Sequence, residues 1–252
     1  MQNTPTLRIV PGSYGVNPMT IMQNDNMVTI NTILEMDLTG QVCSESIGPR
    51  QFSGSGGGFC FAYGALHSKG GRGILAFASR SKKGMPKIKP MLTQGAVVTI
   101  PRNYVDYIVT EYGVAHLRGC SVKERTEKLN EFIAAELLGK AEVIGATKLI
   151  IDMQKGSSMN ELKNLGDMLI RDENVLAMLF GENGDSLVYQ LARGRNVKTS
   201  MRELIKAVNA AAGGKGGGRD EHAQGSAKIT SATDAEGSIE SLRGYCRSML
   251  KA

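Results

Sequence analysis

The stretch GGKGGGRDEHAQG (Gly213–Gly225) opens with five glycines and one lysine in six residues. Without a Cβ, backbone N–H groups can approach a ligand closely, and the chain can also take turns that other residues avoid. The run reads as a loop. Lys215 and Arg219 add charge to that bare backbone. Residues 193–219 hold Arg193, Arg195, Lys198, Arg202, Lys206, Lys215 and Arg219 against Glu203, a local 7 − 1 = +6. Backbone amides with Lys and Arg are phosphate-contact chemistry, which positions a nucleic acid without reading its sequence. A tight packing loop with a solvated lysine is the alternative.

Working outward, strands and helices alternate. Ser200-Met201-Arg202-Glu203 opens a helix that runs into the glycine loop, and Ser158-Met159-Asn160-Glu161 is a capping box that opens another, to about Ile170. Ala146–Met153, Val175–Phe180 and Leu187–Leu191 read as strands. Ser226–Gly237 is small and polar and reads as an exposed loop, with Ser238–Leu250 as a closing helix. Such alternation argues for an α/β layer structure.

Upstream, Ser121-Val122-Lys123-Glu124 is another capping box. Leu129, Ile133, Leu137, Ala141 and Ile144 follow at three-to-four spacing, the stripe of a connecting helix. Before it the texture is strand-rich and tightly punctuated. Residues 27–46 read as two strands about a Thr39-Gly40 turn, Phe59–Ser68 as a helix, and Gly73–Ala78, Ala96–Ile100 and Tyr107–Thr110 as short strands. The fold class expected is α/β, with two α/β domains joined by an amphipathic helix. The boundaries are 1–122, 123–145 for the helix, and 146–252.

Composition narrows the function. The net charge is +6; residues 1–125 contribute 13 − 7 = +6 and residues 126–252 contribute 17 − 17 = 0. Aromatics are 5% and tryptophan is absent, which argues against stacking platforms for single strands. No apolar run reaches the roughly 20 residues of a membrane helix, and no signal pattern opens the chain. Four scattered cysteines and three scattered histidines (His67, His116, His222) give no metal-ligand spacing. The expectation is a reduced, cytoplasmic, metal-free protein of open oligomeric state.

A second glycine cluster, SGSGGG at Ser53–Gly58, lies between a strand region and a helix. It is either a tight turn or an oxyanion cradle. The segments QNDNMVTINTILEMDLTGQVCSESIG, RQFSGSGGGFCFAYGA and GAVVTIPRNYVDYIVTEYGVAHLRGCSVKER together resemble the C-terminal domain of the acetyl-CoA hydrolase/CoA-transferase family, over about residues 16–125. The resemblance implies acyl exchange between coenzyme A thioesters and carboxylates. It gives Gly54, Gly56 and Gly57 an oxyanion and coenzyme A role. Arg80, Lys82, Lys83, Lys87, Lys89 and Arg102 form a basic run suited to an anionic ligand or to a solvated face. Gly58 and Cys60 stand where the family has glutamine and aspartate. The family's nucleophile is a glutamate upstream of this domain, so no catalytic residue is assigned in this chain. Glu35, Glu45 and Glu111 match motif positions of structural kind.

AAGGKGGGRDEHAQGSAK resembles the C-terminal domain of alanyl-tRNA synthetases, also attached to DHH phosphoesterases, over about residues 125–252. Asp220 departs from that pattern, where proline is usual. The resemblance implies tRNA binding by Gly213, Gly214, Lys215, Gly216, Gly217, Gly218, Arg219 and Gln224. No ATP-binding motif, editing His/Cys constellation or Asp-His-His triplet accompanies it. The function expected is tRNA binding without catalysis of its own. The alternative is a CoA-transferase or hydrolase acting on short-chain acyl-CoA, whose catalytic half comes from a separate subunit.

Overall fold

Residues 9–229 and 232–251 are described by the computed structural model. The chain divides into two units, one ending at Leu129 and the other beginning at Asn130.

In the first unit, two four-residue helices, α1 (Gly12–Gly15) and α2 (Pro18–Ile21), precede strands β1 (Val28–Asn31), β2 (Glu35–Asp37), β3 (Val42–Cys43), β4 (Ser46–Ile47) and β5 (Arg50–Gln51). Helix α3 (Gly58–His67) follows, then β6 (Arg72–Ala76), β7 (Ile88–Lys89), a 3-10 turn at Arg102–Tyr104, β8 (Tyr107–Thr110) and β9 (Gly113–His116). One sheet runs β1-β6-β8-β9, parallel except for β9. A second runs β3-β2-β7. The Thr39-Gly40 turn closes the β2–β3 hairpin, with Gly40 at φ 93°. Asp37 Oδ1 accepts there from Thr39 N (2.9 Å), Thr39 Oγ1 (2.7 Å) and Gln41 N (3.0 Å). The strand expected at Ala96–Ile100 is absent; those residues make one isolated bridge, from Ile100 to Val42, and are otherwise held by single hydrogen bonds such as Val97 N to Ser46 Oγ (2.9 Å) and Thr99 N to the Val42 carbonyl (2.8 Å). Their apolar run passes beside β3 without pairing along it.

Helix α4 (Val122–Gly139) starts at the expected box: Ser121 N donates to Glu124 Oε2 at 2.7 Å, and Glu124 N to Ser121 Oγ at 3.3 Å. The boundary between the units falls within this helix. The expected span of 123–145 is too long. Lys140 N closes on the Glu136 and Leu137 carbonyls, and the chain then forms β10 (Glu142–Ile144). Ala141 and Ile144 fit the helical spacing by coincidence, because Gly145 at φ 59° turns β10 back antiparallel to β11.

The second unit continues with β11 (Thr147–Met153), α5 (Met159–Leu169), β12 (Val175–Asn183), β13 (Ser186–Arg193), α6 (Met201–Ala212), β14 (Lys215–Arg219), β15 (His222–Lys228) and α7 (Ala232–Lys251). Six strands form one sheet in the order β10-β11-β12-β13-β15-β14, in which only β11 and β12 run parallel. On one face, Ala134 and Leu137 of α4 and Leu162, Leu165 and Leu169 of α5 cover Ile150, Ala177 and Leu179. On the other, Leu204, Ile205 and Val208 of α6 and Leu242 and Cys246 of α7 cover Leu149, Met178, Tyr189 and Leu191. Each fully buried Leu or Ile contributes about 1.5–3 kcal/mol. The architecture is α/β in both units.

Candidate nucleic-acid interface

The glycine stretch is a strand, not a loop. Helix α6 ends at Ala212 with Gly213 as its left-handed cap at φ 63°. The next five residues are β14, the edge strand, paired antiparallel with β15. Ser226–Lys228, also expected in a loop, end β15, and the closing helix begins at Ala232 rather than Ser238. Thr230 and Ser231, within the expected loop, lie outside the described residues.

Three glycines are required by packing. A Cβ on Gly214 would collide with the Tyr189 hydroxyl and the Ser226 carbonyl, one on Gly216 with the Gln224 carbonyl, and one on Gly218 with Ala223. Gly225 is held in the same way, against the Tyr189 ring. The hairpin thus closes on the core at the cost of side chains. Asn209 of α6 fastens it: Nδ2 donates to the Gly216 carbonyl at 3.2 Å, and the Asn209 carbonyl accepts from Gly214 N at 2.9 Å.

The opposite face is open. Register pairs Lys215 with Ser226, Gly217 with Gln224 and Arg219 with His222, so these side chains share one side of the sheet with Lys228. All are exposed except His222, which is half-buried. Helix α5 packs on β12 and β13, while α6 covers β13, β14 and β15 from the other side. Among the described residues, Lys215, Arg219 and Lys228 pair with no carboxylate. An open recess of about 480 Å³ lies at the Lys215 end, lined by Asp185, Gly213, Lys215, Ser226 and Lys228. His222 sits 3.6 Å from Asp167 and contacts Gln190 Nε2 at 3.4 Å.

Of the eight residues expected to contact tRNA, Gly213 caps α6, and the other seven lie together at the β14–β15 hairpin but separate by face. Lys215, Gly217, Arg219 and Gln224 look outward; Gly214, Gly216 and Gly218 look inward. Ser226, Lys228 and His222 join the outward set and were not singled out from sequence. The basic neighbourhood is smaller than its charge count. Arg193 donates from Nε to the Asp220 carbonyl at 2.9 Å and from Nη1 to the Val197 carbonyl, and Arg195 stands 4.0 Å from Glu173.

In the first unit, Gly54, Gly56 and Gly57 lie just before α3. Gly54 and Gly56 are exposed with open space where a Cβ would stand, and Gly56 has φ 56°. Gly57 is the cap of α3 and supplies no side-chain acceptor. The basic run upstream of β8 is partly turned inward. Lys87 Nζ donates to the Ile33 carbonyl at 3.2 Å, Lys89 Nζ to Glu35 and Thr93, and Arg80 Nη1 to the Gly84 carbonyl. The motif glutamates tie loops. Glu35 accepts from Thr93 N at 2.8 Å, Glu45 from Thr99 Oγ1 at 2.9 Å, and Glu111 from Ser79 N at 2.9 Å and Ser79 Oγ at 2.7 Å. No helix among the described residues is long and apolar enough to cross a membrane.

Comparison with known proteins divides the chain in two. The family model for the acetyl-CoA hydrolase/transferase C-terminal domain matches residues 1–136, and that for the DHHA1 domain matches residues 145–243. The chain is 51% identical over 130 residues to the 4-hydroxybutyrate coenzyme A transferase of Clostridium kluyveri, which takes in 51% of this chain and 30% of that protein. It is 30% identical over 122 residues to an alanine–tRNA ligase of Methanococcus vannielii, taking in 48% of this chain and 13% of the ligase. The chain thus spans less than a third of either relative. Among solved structures, RipA from Yersinia pestis matches at 44% identity and TM-score 0.44, over 47% of this chain and 27% of that one. The C-Ala domain of Aquifex aeolicus alanyl-tRNA synthetase matches at 23% identity and TM-score 0.39, over 44% of this chain and 98% of that domain. With residues 1–136 of 252 matched, the chain belongs to the acetyl-CoA hydrolase/transferase C-terminal domain family, and residues 145–243 are similar to the DHHA1 domain.

Proposed function

We propose that the second unit binds tRNA through the open face of β14 and β15, and that binding rather than catalysis is its contribution. The observation that carries this reading is the set of cations Lys215, Arg219 and Lys228, which pair with no carboxylate among the described residues, on a polar face that α5 does not cover. Structured RNA is recognised largely by backbone and shape, and such a face offers cations and hydrogen-bonding side chains for both. The similarity to an alanine–tRNA ligase supports tRNA as the RNA. The four free cysteines support a reducing, cytoplasmic setting.

The test is a titration of labelled tRNA against the full chain at several salt concentrations. Displaced counterions give an affinity that falls linearly in log–log form with salt. Lys215→Glu is expected to weaken binding and to lower the slope by roughly 1. Unchanged affinity and slope would remove this face from the site.

A second reading attaches to the first unit. Ser158 and Ser200 cap α5 and α6 with their side chains, whereas α3 begins at Gly57 with no side-chain acceptor. Its first amides are free to meet an anion, and the similarity to a coenzyme A transferase supports a coenzyme A thioester as that anion. Calorimetric titration of coenzyme A into the full chain tests it, with Gly56→Val expected to abolish binding. A wild-type chain that binds no coenzyme A would end this reading and leave the first untouched.

A further inference from the structure

The glycines of Gly213–Gly218 differ in why they are glycine. Gly213 needs its left-handed φ of 63°, and Gly214, Gly216 and Gly218 are each blocked by Tyr189 or β15. Gly217 has neither reason. Its φ is outside the left-handed region, no heavy atom lies within 4 Å of where its Cβ would stand, and it is exposed. Glycine weakens a strand interior and marks places where a ligand or another backbone comes close. No backbone among the described residues comes close, which points to a ligand.

The surroundings say what kind. Gly217 pairs with Gln224, whose exposed carboxamide lies on the same face, and Gln224 pairs in turn with Gln190 of β13. Gln190 is 2% exposed and its Oε1 accepts no hydrogen bond among the described residues, so the row ends in an unanswered acceptor. Lys215 and Arg219 stand two residues to either side, about 7 Å away along the strand. The row therefore combines a bare peptide plane, a carboxamide with one acceptor and two donor hydrogens, and a cation on each flank.

We propose that Gly217 is the floor of a seat for one unpaired nucleobase of the bound RNA, and that Gln224 reads that base's hydrogen-bonding edge. The seat rests on the RNA-binding reading above and adds to it a point at which RNA is told apart by its unpaired bases. A flat ring can lie at van der Waals distance on a peptide plane without a side chain, and any Cβ at 217 would stand between them. Splayed, unpaired bases are where RNA offers its edges to carboxamides. Lys215 and Arg219 hold the phosphates before and after the seated base.

The experiment compares two probes on the full chain at fixed salt: a tRNA transcript, and a blunt, fully paired RNA duplex of the same nucleotide number. Wild type is expected to prefer the tRNA by tenfold or more. Gly217→Val suits a strand and meets open space; it should keep the circular dichroism spectrum and melting temperature while bringing tRNA binding down to the duplex level. Gln224→Leu, on the neighbouring strand, should do the same without touching β14. Both should leave duplex binding and the salt slope unchanged, whereas Lys215→Glu weakens both RNAs alike. If both variants hold tRNA as wild type does while Lys215→Glu does not, the seat is overturned and the RNA surface stands. Equal losses on tRNA and duplex would also overturn it, because a blunt duplex has no free base to seat. A wild-type chain that binds neither RNA would overturn the seat together with the reading beneath it.

Discussion

The Tyr189 hydroxyl donates to Asn209 Oδ1 at 2.5 Å, and Asn209 Nδ2 passes the link on to the Gly216 carbonyl at 3.2 Å. Tyr189 is fully buried, and burial raises its pKa, so the neutral donor is the form present. One side chain thus joins the core strand β13, helix α6 and the glycine edge. Asn209→Leu leaves the tyrosine hydroxyl without its acceptor, which costs about 1–3 kcal/mol. It should also speed hydrogen exchange at 214–218 beyond that of the rest of the sheet. Exchange that stays uniform would mean that the hairpin holds without this link.

Gly225 lies across the ladder from Tyr189, and a Cβ there would enter the ring. Gly225→Ala is expected to destabilise by about 1–3 kcal/mol, as overpacked cores do. Urea denaturation followed by circular dichroism measures it. Gly217→Ala is the matched control and should stay within about 1 kcal/mol of wild type.

Glu35 is buried. Burial pushes its pKa up, but hydrogen bonds from Lys89 and Thr93 and the charge of Lys89 outweigh it, leaving the carboxyl below its ordinary value. A folded pKa below the unfolded one favours unfolding on protonation. The stabilisation is complete above the unfolded carboxylate pKa of about 4.3 and is lost as pH falls through the lower folded value. Glu35→Gln should therefore weaken the first unit at neutral pH and flatten its loss of stability between about pH 5 and pH 3. Urea midpoints across that range decide it; parallel curves for the two proteins would exclude Glu35 as a source of the acid sensitivity.

Burial also pushes the Cys246 thiol up to about 11, and its Sγ lies 3.3 Å from Met178 Sδ beneath α7. The thiolate is the reactive form. Cys246 should resist iodoacetamide at pH 8 in the native protein and react fully in denaturant, as read by peptide mass spectrometry. Labelling at the rate of the half-exposed Cys120 would show that α7 does not stay seated on the sheet.

Much of the fold was legible where a local signal and a tertiary need coincide. Ser158 and Glu161 form the expected box, and β8 occupies Tyr107–Thr110 as expected. The glycine run misled because glycine carries no strand propensity. What makes β14 a strand is Asn209, Tyr189 and β15, all supplied by other elements. A period of two was nonetheless present. Ala223, Gly225 and Ala227 alternate with His222, Gln224, Ser226 and Lys228, small residues inward and polar ones outward. Reading that alternation would have recovered the open face, including Lys228. The split between Gly217 and its neighbours had no such signal, since four identical letters occupy positions that only the sheet distinguishes.

An edge strand presents unpaired backbone groups that can template the addition of another chain, and natural proteins guard such edges with charge. β14 is unusually vulnerable, because most of its length has no side chain to hinder an incoming strand. Lys215 at one end and Arg219 at the other are its sentries. Under the proposed reading, the two cations that meet an RNA backbone are also the ones that guard the edge against pairing with another molecule, so one pattern of charge would serve both ends.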